Sequence, residues 1–228
     1  MAGTTWQAAW QQLVQDVADG SGGEWTRAGK RGTARLVFGR VGWWLSSVAF
    51  GHRSGGEGWL FAAHQALVEP WAPVITLRQD EYTGDDLPSG GYAPLSDVAA
   101  DQLAIWIAGP ARAHFIDEGA WDWVEAHTIM WEQAPEEVPR TWPALAGLRV
   151  IADAGPALPV IDDTLALESG DDPWPEQERS WWEQFRDVAA SESRSDQLRW
   201  LDARRRETLA ALGVPESIII DVLAEDGG

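Results

Sequence analysis

The stretch from residue 33 to residue 78 constrains the fold of this chain more than any other. It is the only long region that is rich in Val, Phe, Trp, Leu and Thr and that Gly and Pro interrupt at the spacing of turns. Such runs between turn residues are typical of antiparallel strands. Residues 43–50 carry large side chains at both odd and even positions, which indicates a central strand covered on both faces. We therefore predict a small antiparallel β-meander over about residues 33–78.

Two parts of this region are open to more than one interpretation. Residues 59–68 contain helix-forming residues, but they lie between a Gly-rich loop and a Pro-containing segment, so we predict a strand, with a short helix as the alternative. The pattern of residues 74–78 predicts a further strand. We expect residues 79–92 to form an exposed acidic loop. The preceding segment, 25–40, holds five basic residues and no acidic one, and we interpret it as a basic hairpin edge rather than a nucleic-acid contact.

The rest of the chain shows helical patterns. An apolar stripe at the spacing of one helix face predicts an N-terminal helix that docks on the sheet. Its members are Trp6, Trp10, Leu13, Val14 and Val17. Further helical patterns follow from residue 95 onward, and Gly109-Pro110 is expected to break or kink the first of them. The chain thus predicts an α+β fold, in which the meander is packed by the N-terminal helix and a mostly helical C-terminal half.

The segment ESGDDPWP, residues 168–175, is the best candidate for a domain boundary. It divides an α+β domain over residues 1–167 from a helical extension over residues 168–228, which we expect to pack on the first part. Within the extension, we expect an acidic helix elsewhere in the chain to pair with the triplet Arg204-Arg205-Arg206. Pro215 is expected to start a last helix that runs through Leu223.

The formal net charge is −19, and it is unevenly distributed. Residues 1–53 carry a net charge of +3, and the other 175 residues carry −22. Such a field repels nucleic acid and anionic membranes and attracts cationic partners. There is no cysteine, which excludes disulfides and thiolate metal sites, and neither a signal-peptide pattern nor a membrane-spanning apolar run is present. These features predict a cytoplasmic protein that binds neither membranes nor, directly, nucleic acid. Its 16 Trp are interpreted mainly as core residues.

Residues 111–133 contain the side chains that most suggest an enzyme, and His52 and His64 of the predicted sheet would join them if the fold brings them near. His114 and Asp117 are three residues apart on a predicted helix, whereas Glu125 and His127 diverge on a regular helix. These four are weak catalytic candidates, because no catalytic, cofactor or metal-binding motif accompanies them. We predict no cofactor and no metal site, and we interpret the two histidines as helix residues satisfied by nearby carboxylates. A metal or small-molecule binder, or an enzyme, that uses this cluster is the alternative.

Many carboxylates without a catalytic motif favour an interaction protein over an enzyme. We predict that the chain binds and inhibits or regulates a basic protein partner, as an immunity protein or a nucleic-acid mimic does. The acidic residues expected to contact this partner are Asp117, Glu118, Asp122, Glu125, Glu132, Glu136, Glu137, Asp171 and Asp172. A further alternative is a structural subunit of a larger complex. That alternative predicts a large exposed apolar patch, whereas an inhibitor predicts an apolar patch ringed by carboxylates.

Overall fold

The chain folds as an α+β protein with one five-stranded sheet and a mostly helical C-terminal half, as predicted. The computed structural model describes residues 6–30, 34–52, 58–68, 76–81, 100–117, 120–133, 142–166, 176–191 and 193–225. The strands are β1 (Trp25–Ala28), β2 (Arg35–Phe38), β3 (Trp44–His52), β4 (Gly58–Ala66) and β5 (Thr76–Glu81). The helices are α1 (Trp6–Gly20), α2 (Ala100–Trp106), α3 (Arg112–Asp117), α4 (Ala120–Gln133), α5 (Trp142–Ile151), α6 (Leu158–Ala166), α7 (Glu176–Ser191), α8 (Arg194–Leu212) and α9 (Val222–Glu225).

The sheet is a meander whose strands lie in chain order, so β3 is its central strand. β1 pairs antiparallel with β2, and β2 pairs antiparallel with β3. Leu45 and Val48 of β3 are three positions apart, so their side chains point to opposite faces of the sheet. Both are fully buried, so the strand is covered on both faces, as its composition predicts. The strand prediction for residues 59–68 is also confirmed, since β4 accounts for most of them.

The sheet extends beyond the predicted meander of about residues 33–78 at both ends, and its N-terminal extension, β1 paired with β2, agrees with the hairpin edge expected over residues 25–40. The sheet begins at Trp25 rather than near residue 33, because β1 pairs with β2 and places Trp25 beside Phe38 in the core. At the other end, β5 extends through Glu81, so the first residues of the predicted acidic loop belong to a strand. The remainder of that loop, residues 82–92, lies outside the described residues.

The chain forms two compact units, and each draws on more than one stretch of sequence. The first comprises Met1–Gln65, Arg78–Glu118 and Leu209–Ile220, and the second comprises Ala66–Leu77, Gly119–Thr208 and Asp221–Gly228. The predicted boundary between residues 167 and 168 lies outside the described residues and stays a prediction.

In the first unit, α1 packs on the sheet through the apolar stripe that predicts it. Trp10 is buried and donates a hydrogen bond from Nε1 to the carbonyl oxygen of Ala34, at 2.7 Å. Trp25, Phe38 and Phe115 form an aromatic cluster on the same core. Tryptophan contributes to the core of both units, and among the side chains that the structure describes six are buried: Trp10, Trp25, Trp43, Trp106, Trp181 and Trp182.

Pro110 does not end the helical segment that contains it. A π-helical turn, Ile107–Ala111, carries the chain from α2 into α3, and the N–H of Arg112 bonds to the carbonyl oxygen of Gly109. Proline lacks an N–H and its ring collides with the preceding turn of an α-helix. A π-turn widens the helix locally, which accommodates the proline without a break.

The predicted last helix from Pro215 through Leu223 is wrong over most of its length. A 3₁₀ turn, Glu216–Ile218, is followed by an extended segment in which Ile219 forms a parallel bridge with Val41. The N–H of Val41 bonds to the carbonyl oxygen of Ile218, and the N–H of Ile220 bonds to that of Val41. Three consecutive β-branched isoleucines favour this extended conformation over a helix.

In the second unit, α5 is the most buried helix of the described residues, since every residue from Ala144 to Val150 is buried. α5 packs against α4 and α6, and α6 packs against α7. Gly147 allows a close approach, because a Cβ at this position would lie 2.8 Å from the Cβ of Val68.

Most of the ion pairs that the structure describes for the arginine triplet lie within α8 rather than with an acidic helix elsewhere, although Asp221, just before α9, lies 4.0 Å from Nη2 of Arg206. Asp202, which lies on the same helix, accepts hydrogen bonds from both Arg205 and Arg206, and Glu207 pairs with Arg204. The reason is helical periodicity, because residues three or four positions apart are neighbours on one face.

Candidate interaction surface

The four weak catalytic candidates lie on two helices that belong to different units. His114 and Asp117 are on α3, and Glu125 and His127 are on α4. Glu125 is exposed and His127 is half-buried, whereas the side chains of the α3 pair lie outside the described part of the structure. Among the side chains that are described, no group of three His, Asp or Glu residues is placed to hold a metal ion. A catalytic role for these residues stays a prediction.

Two of the acidic residues predicted to contact a partner are exposed on α4, namely Glu125 and Glu132. Asp117 and Asp122 lie on α3 and α4, but their side chains are not described. The others lie outside the described residues: Glu118, Glu136, Glu137, Asp171 and Asp172.

The outward face of α4 combines these carboxylates with two exposed apolar side chains. Ile129 is 47% exposed and Met130 is 51% exposed. A residue advances by about 100° around an α-helix, so Glu125, Ile129 and Glu132 lie within about 60° of one another. Met130 lies about 100° beyond Ile129, on the side away from the two carboxylates. We call this set, with the exposed Gln133 between Ile129 and Met130, the α4 face.

The opposite side of α4 is fixed to its neighbours through Trp131. The Nε1 of Trp131 donates a hydrogen bond to Oδ2 of Asp163 on α6, at 3.0 Å. The guanidinium carbon of Arg149 on α5 lies 4.8 Å from the centre of the Trp131 ring, which is the distance of a cation–π contact. These contacts to α5 and α6 set the orientation of the helix, so the α4 face is held in one position toward solvent.

The second unit carries most of the negative charge of the chain. Its residues include 23 acidic and nine basic ones, for a net charge of −14, against −5 for the first unit. α4 itself has three acidic residues and neither lysine nor arginine. The carboxylates of the α4 face therefore lie in a negative field, without a basic neighbour on their own helix.

The sequence analysis missed Ile129 and Met130. Helical spacing from Glu125 places Ile129 one turn further along the same face, which is a signal the sequence does contain. Burial was the missing information, because an Ile-Met pair in an amphipathic helix belongs more often to the core than to the surface.

The chain matches no protein-family model, no curated protein and no solved structure. In the described part of the chain, no helix combines the length and the apolar character that crossing a membrane requires.

Proposed function

We propose that this chain is an acidic interaction protein that binds a basic protein partner through the α4 face and thereby inhibits or regulates it. The observation that supports the proposal is an exposed part of α4 that holds two apolar side chains, Ile129 and Met130, and two carboxylates, Glu125 and Glu132. The inhibitor hypothesis predicts an apolar patch ringed by carboxylates, and the two carboxylates of α4 border this patch on the Ile129 side.

The two kinds of side chain have different roles in this proposal. Ile129 and Met130 are the anchors, because burial of apolar area supplies most of the binding free energy of an interface. Met130 also adapts its shape to a partner, since its side chain is unbranched and flexible. Glu125 and Glu132 lie at the edge, where charges mainly set the association rate and exclude acidic competitors. The net charge of −14 on the second unit steers a basic protein toward this face.

The experiment is affinity capture from the lysate of the natural host, followed by binding measurements with the purified partner. Three variants are compared with the wild type. Glu125→Gln with Glu132→Gln removes the two carboxylates, and Ile129→Ser with Met130→Ser removes the anchors. Asp16→Asn with Asp19→Asn is the matched control, because it removes two exposed carboxylates from a helix of the first unit.

We expect one basic protein to be captured at near-stoichiometric yield and to be released by high salt. The anchor variant should weaken its affinity by more than about tenfold, which corresponds to about 1.4 kcal/mol. The carboxylate variant should mainly slow association at low salt. The control variant should retain both affinity and rate. Loss of binding in the control variant to the same extent as in the carboxylate variant would show that only the overall charge matters, and the α4 face would then be rejected.

A further inference from the structure

The two carboxylates of the α4 face have no ion-pair partner among the described residues. Glu125 and Glu132 are exposed, and neither accepts a hydrogen bond from the part of the chain that the structure describes. Burial lowers the pKa of Arg149, and the charge of Glu132 partly offsets this at a distance, without an ion pair. Other carboxylates of the same unit are paired: Asp162 with Arg186, Glu183 with Arg179, and Glu207 with Arg204. The α4 face thus offers two negative groups to cations from outside the chain.

Helical geometry places these two carboxylates on one line along α4. They are seven positions apart, which corresponds to about 20° around the helix and about 10.5 Å along its axis. The exposed Ile129 lies beside this line, about 6 Å from Glu125 and about 4.5 Å from Glu132 along the axis. The acidic line and the apolar patch of Ile129 and Met130 therefore run side by side.

A partner that pairs with both carboxylates has to present two cationic side chains at the same separation. In an α-helix, residues i and i+7 also lie about 20° and about 10.5 Å apart, so Lys or Arg at these positions forms a matching line. In an extended strand, side chains on one face recur at about 6.8 Å and about 13.6 Å, and residues three apart, at about 10 Å, point to opposite faces. Two helices that cross at the common angle of about 20° keep such lines alongside each other. A helix therefore matches the acidic line more closely than a strand does.

We infer that the α4 face binds a basic amphipathic α-helix of the partner, with Lys or Arg at i and i+7 along one border of an apolar ridge. This inference rests on the proposed function and names the element of the partner that binds. The ridge covers Ile129 and Met130, and the basic border meets Glu125 and Glu132. One basic border is sufficient, because Met130 lies on the side of the α4 face away from the carboxylates. The contacts of Trp131 already hold α4 in place, so the partner helix binds a preformed surface.

The test uses three synthetic peptides of about 20 residues as probes, because shorter isolated helices are marginal in water. The first has a ridge of leucines bordered by lysines at i and i+7, with alanine and glutamine elsewhere. The second has the same composition but carries the lysines on the face opposite the leucines, so it controls for overall charge. The third keeps the lysines and leucines in place and has proline at two central positions, which prevents a helix. Each probe is titrated into ¹⁵N-labelled protein at low salt, and the amide chemical shifts of Ile129, Met130 and Gln133 are followed.

We expect saturable shifts with the first probe. The second probe should bind about fivefold more weakly, because it loses two exposed ion pairs. The third should bind more than about tenfold more weakly, because proline disrupts the helix. Glu125→Gln with Glu132→Gln should lower the affinity of the first probe to that of the second, and Asp16→Asn with Asp19→Asn should leave it unchanged.

Equal affinity of the three probes, or shifts with the first probe that do not saturate, would overturn the inference. An affinity of the first probe that is the same for the wild type and the carboxylate variant would also overturn it, because the acidic line would then not bind the lysines. These outcomes differ from failure of the proposed function. That function fails if the α4 variants capture the natural partner as the wild type does, whereas capture that still depends on the α4 face would leave it standing with an occupant other than a helix.

Discussion

Replacement of Asp202 by asparagine should destabilise the protein far more than loss of an ordinary ion pair. Asp202 is 8% exposed and lies one turn before Arg205, which is fully buried. Its Oδ1 accepts hydrogen bonds from Nε and Nη2 of Arg205, at 2.8 and 2.6 Å, and its Oδ2 accepts one from Nε of Arg206, at 2.9 Å. The substitution retains the size of the side chain and removes its charge, so a buried guanidinium loses the carboxylate that accepts two of its hydrogen bonds.

The magnitude follows from the burial of the two partners. Removal of one partner of a buried ion pair typically costs about 3–5 kcal/mol, because the charge that remains stays buried without compensation. Asn retains one acceptor oxygen for Arg205, which places the expected loss near the lower end, at about 3 kcal/mol. The exposed pair on the same helix is the control. Glu207 is 59% exposed and pairs with Arg204, and Glu207→Gln should cost less than about 1 kcal/mol.

The assay is urea unfolding followed by circular dichroism. With a slope of about 3 kcal/mol per molar urea, Asp202→Asn should lower the midpoint by about 1 M, and Glu207→Gln should hardly change it. The double variant Asp202→Leu with Arg205→Met removes both charges and should be more stable than Asp202→Asn, since such replacements are often neutral or stabilising. A double variant as unstable as the single one would refute the reasoning, because the loss would then come from packing and not from an unpaired charge.

Two further substitutions test the packing of each unit. Gly147→Ala should destabilise the second unit by about 1–3 kcal/mol, because the new Cβ would lie 2.8 Å from the Cβ of the buried Val68. Thermal unfolding measures this loss. The control Gly109→Ala should be neutral, because no atom lies within 4 Å of the position of its Cβ. Trp10→Phe should lower the free energy of unfolding by about 1–3 kcal/mol, because it leaves the buried carbonyl oxygen of Ala34 without its Nε1 donor. An unchanged melting temperature would show that this hydrogen bond does not stabilise the first unit.

The meander was predictable because its signals are local. Side chains of alternating direction and turn residues at short intervals identify β3 and β4, and large groups on both faces of β3 identify it as central. A hairpin edge was expected over residues 25–40, but the bounds of β1 were not, since four residues give too little alternation and its stability depends on pairing with β2. The C-terminal isoleucines show the same limit. A proline followed by apolar residues predicts a helix, but hydrogen bonds with Val41 favour the extended chain.

The candidate sites depend on burial more than on sequence pattern. The sequence spacing of Asp202 and Arg205 predicts an ion pair on one helix face, but it does not predict that Arg205 is completely buried. Arg149 likewise reads as a favourable basic residue in the last turn of a helix. Only the structure shows that its Nε and Nη1 atoms are buried without a hydrogen-bond partner. Ile129 and Met130 differ from core residues only by their exposure, which is set by the helices packed on the other side of α4.

The charge of the second unit sets the salt dependence expected of the partner complex. The α4 face uses exposed carboxylates, whose attraction for a basic partner is screened at physiological salt over about 8 Å. The net charge of −14 on the second unit attracts a basic protein at longer range, and salt weakens this attraction as well. Added salt should therefore weaken the partner complex.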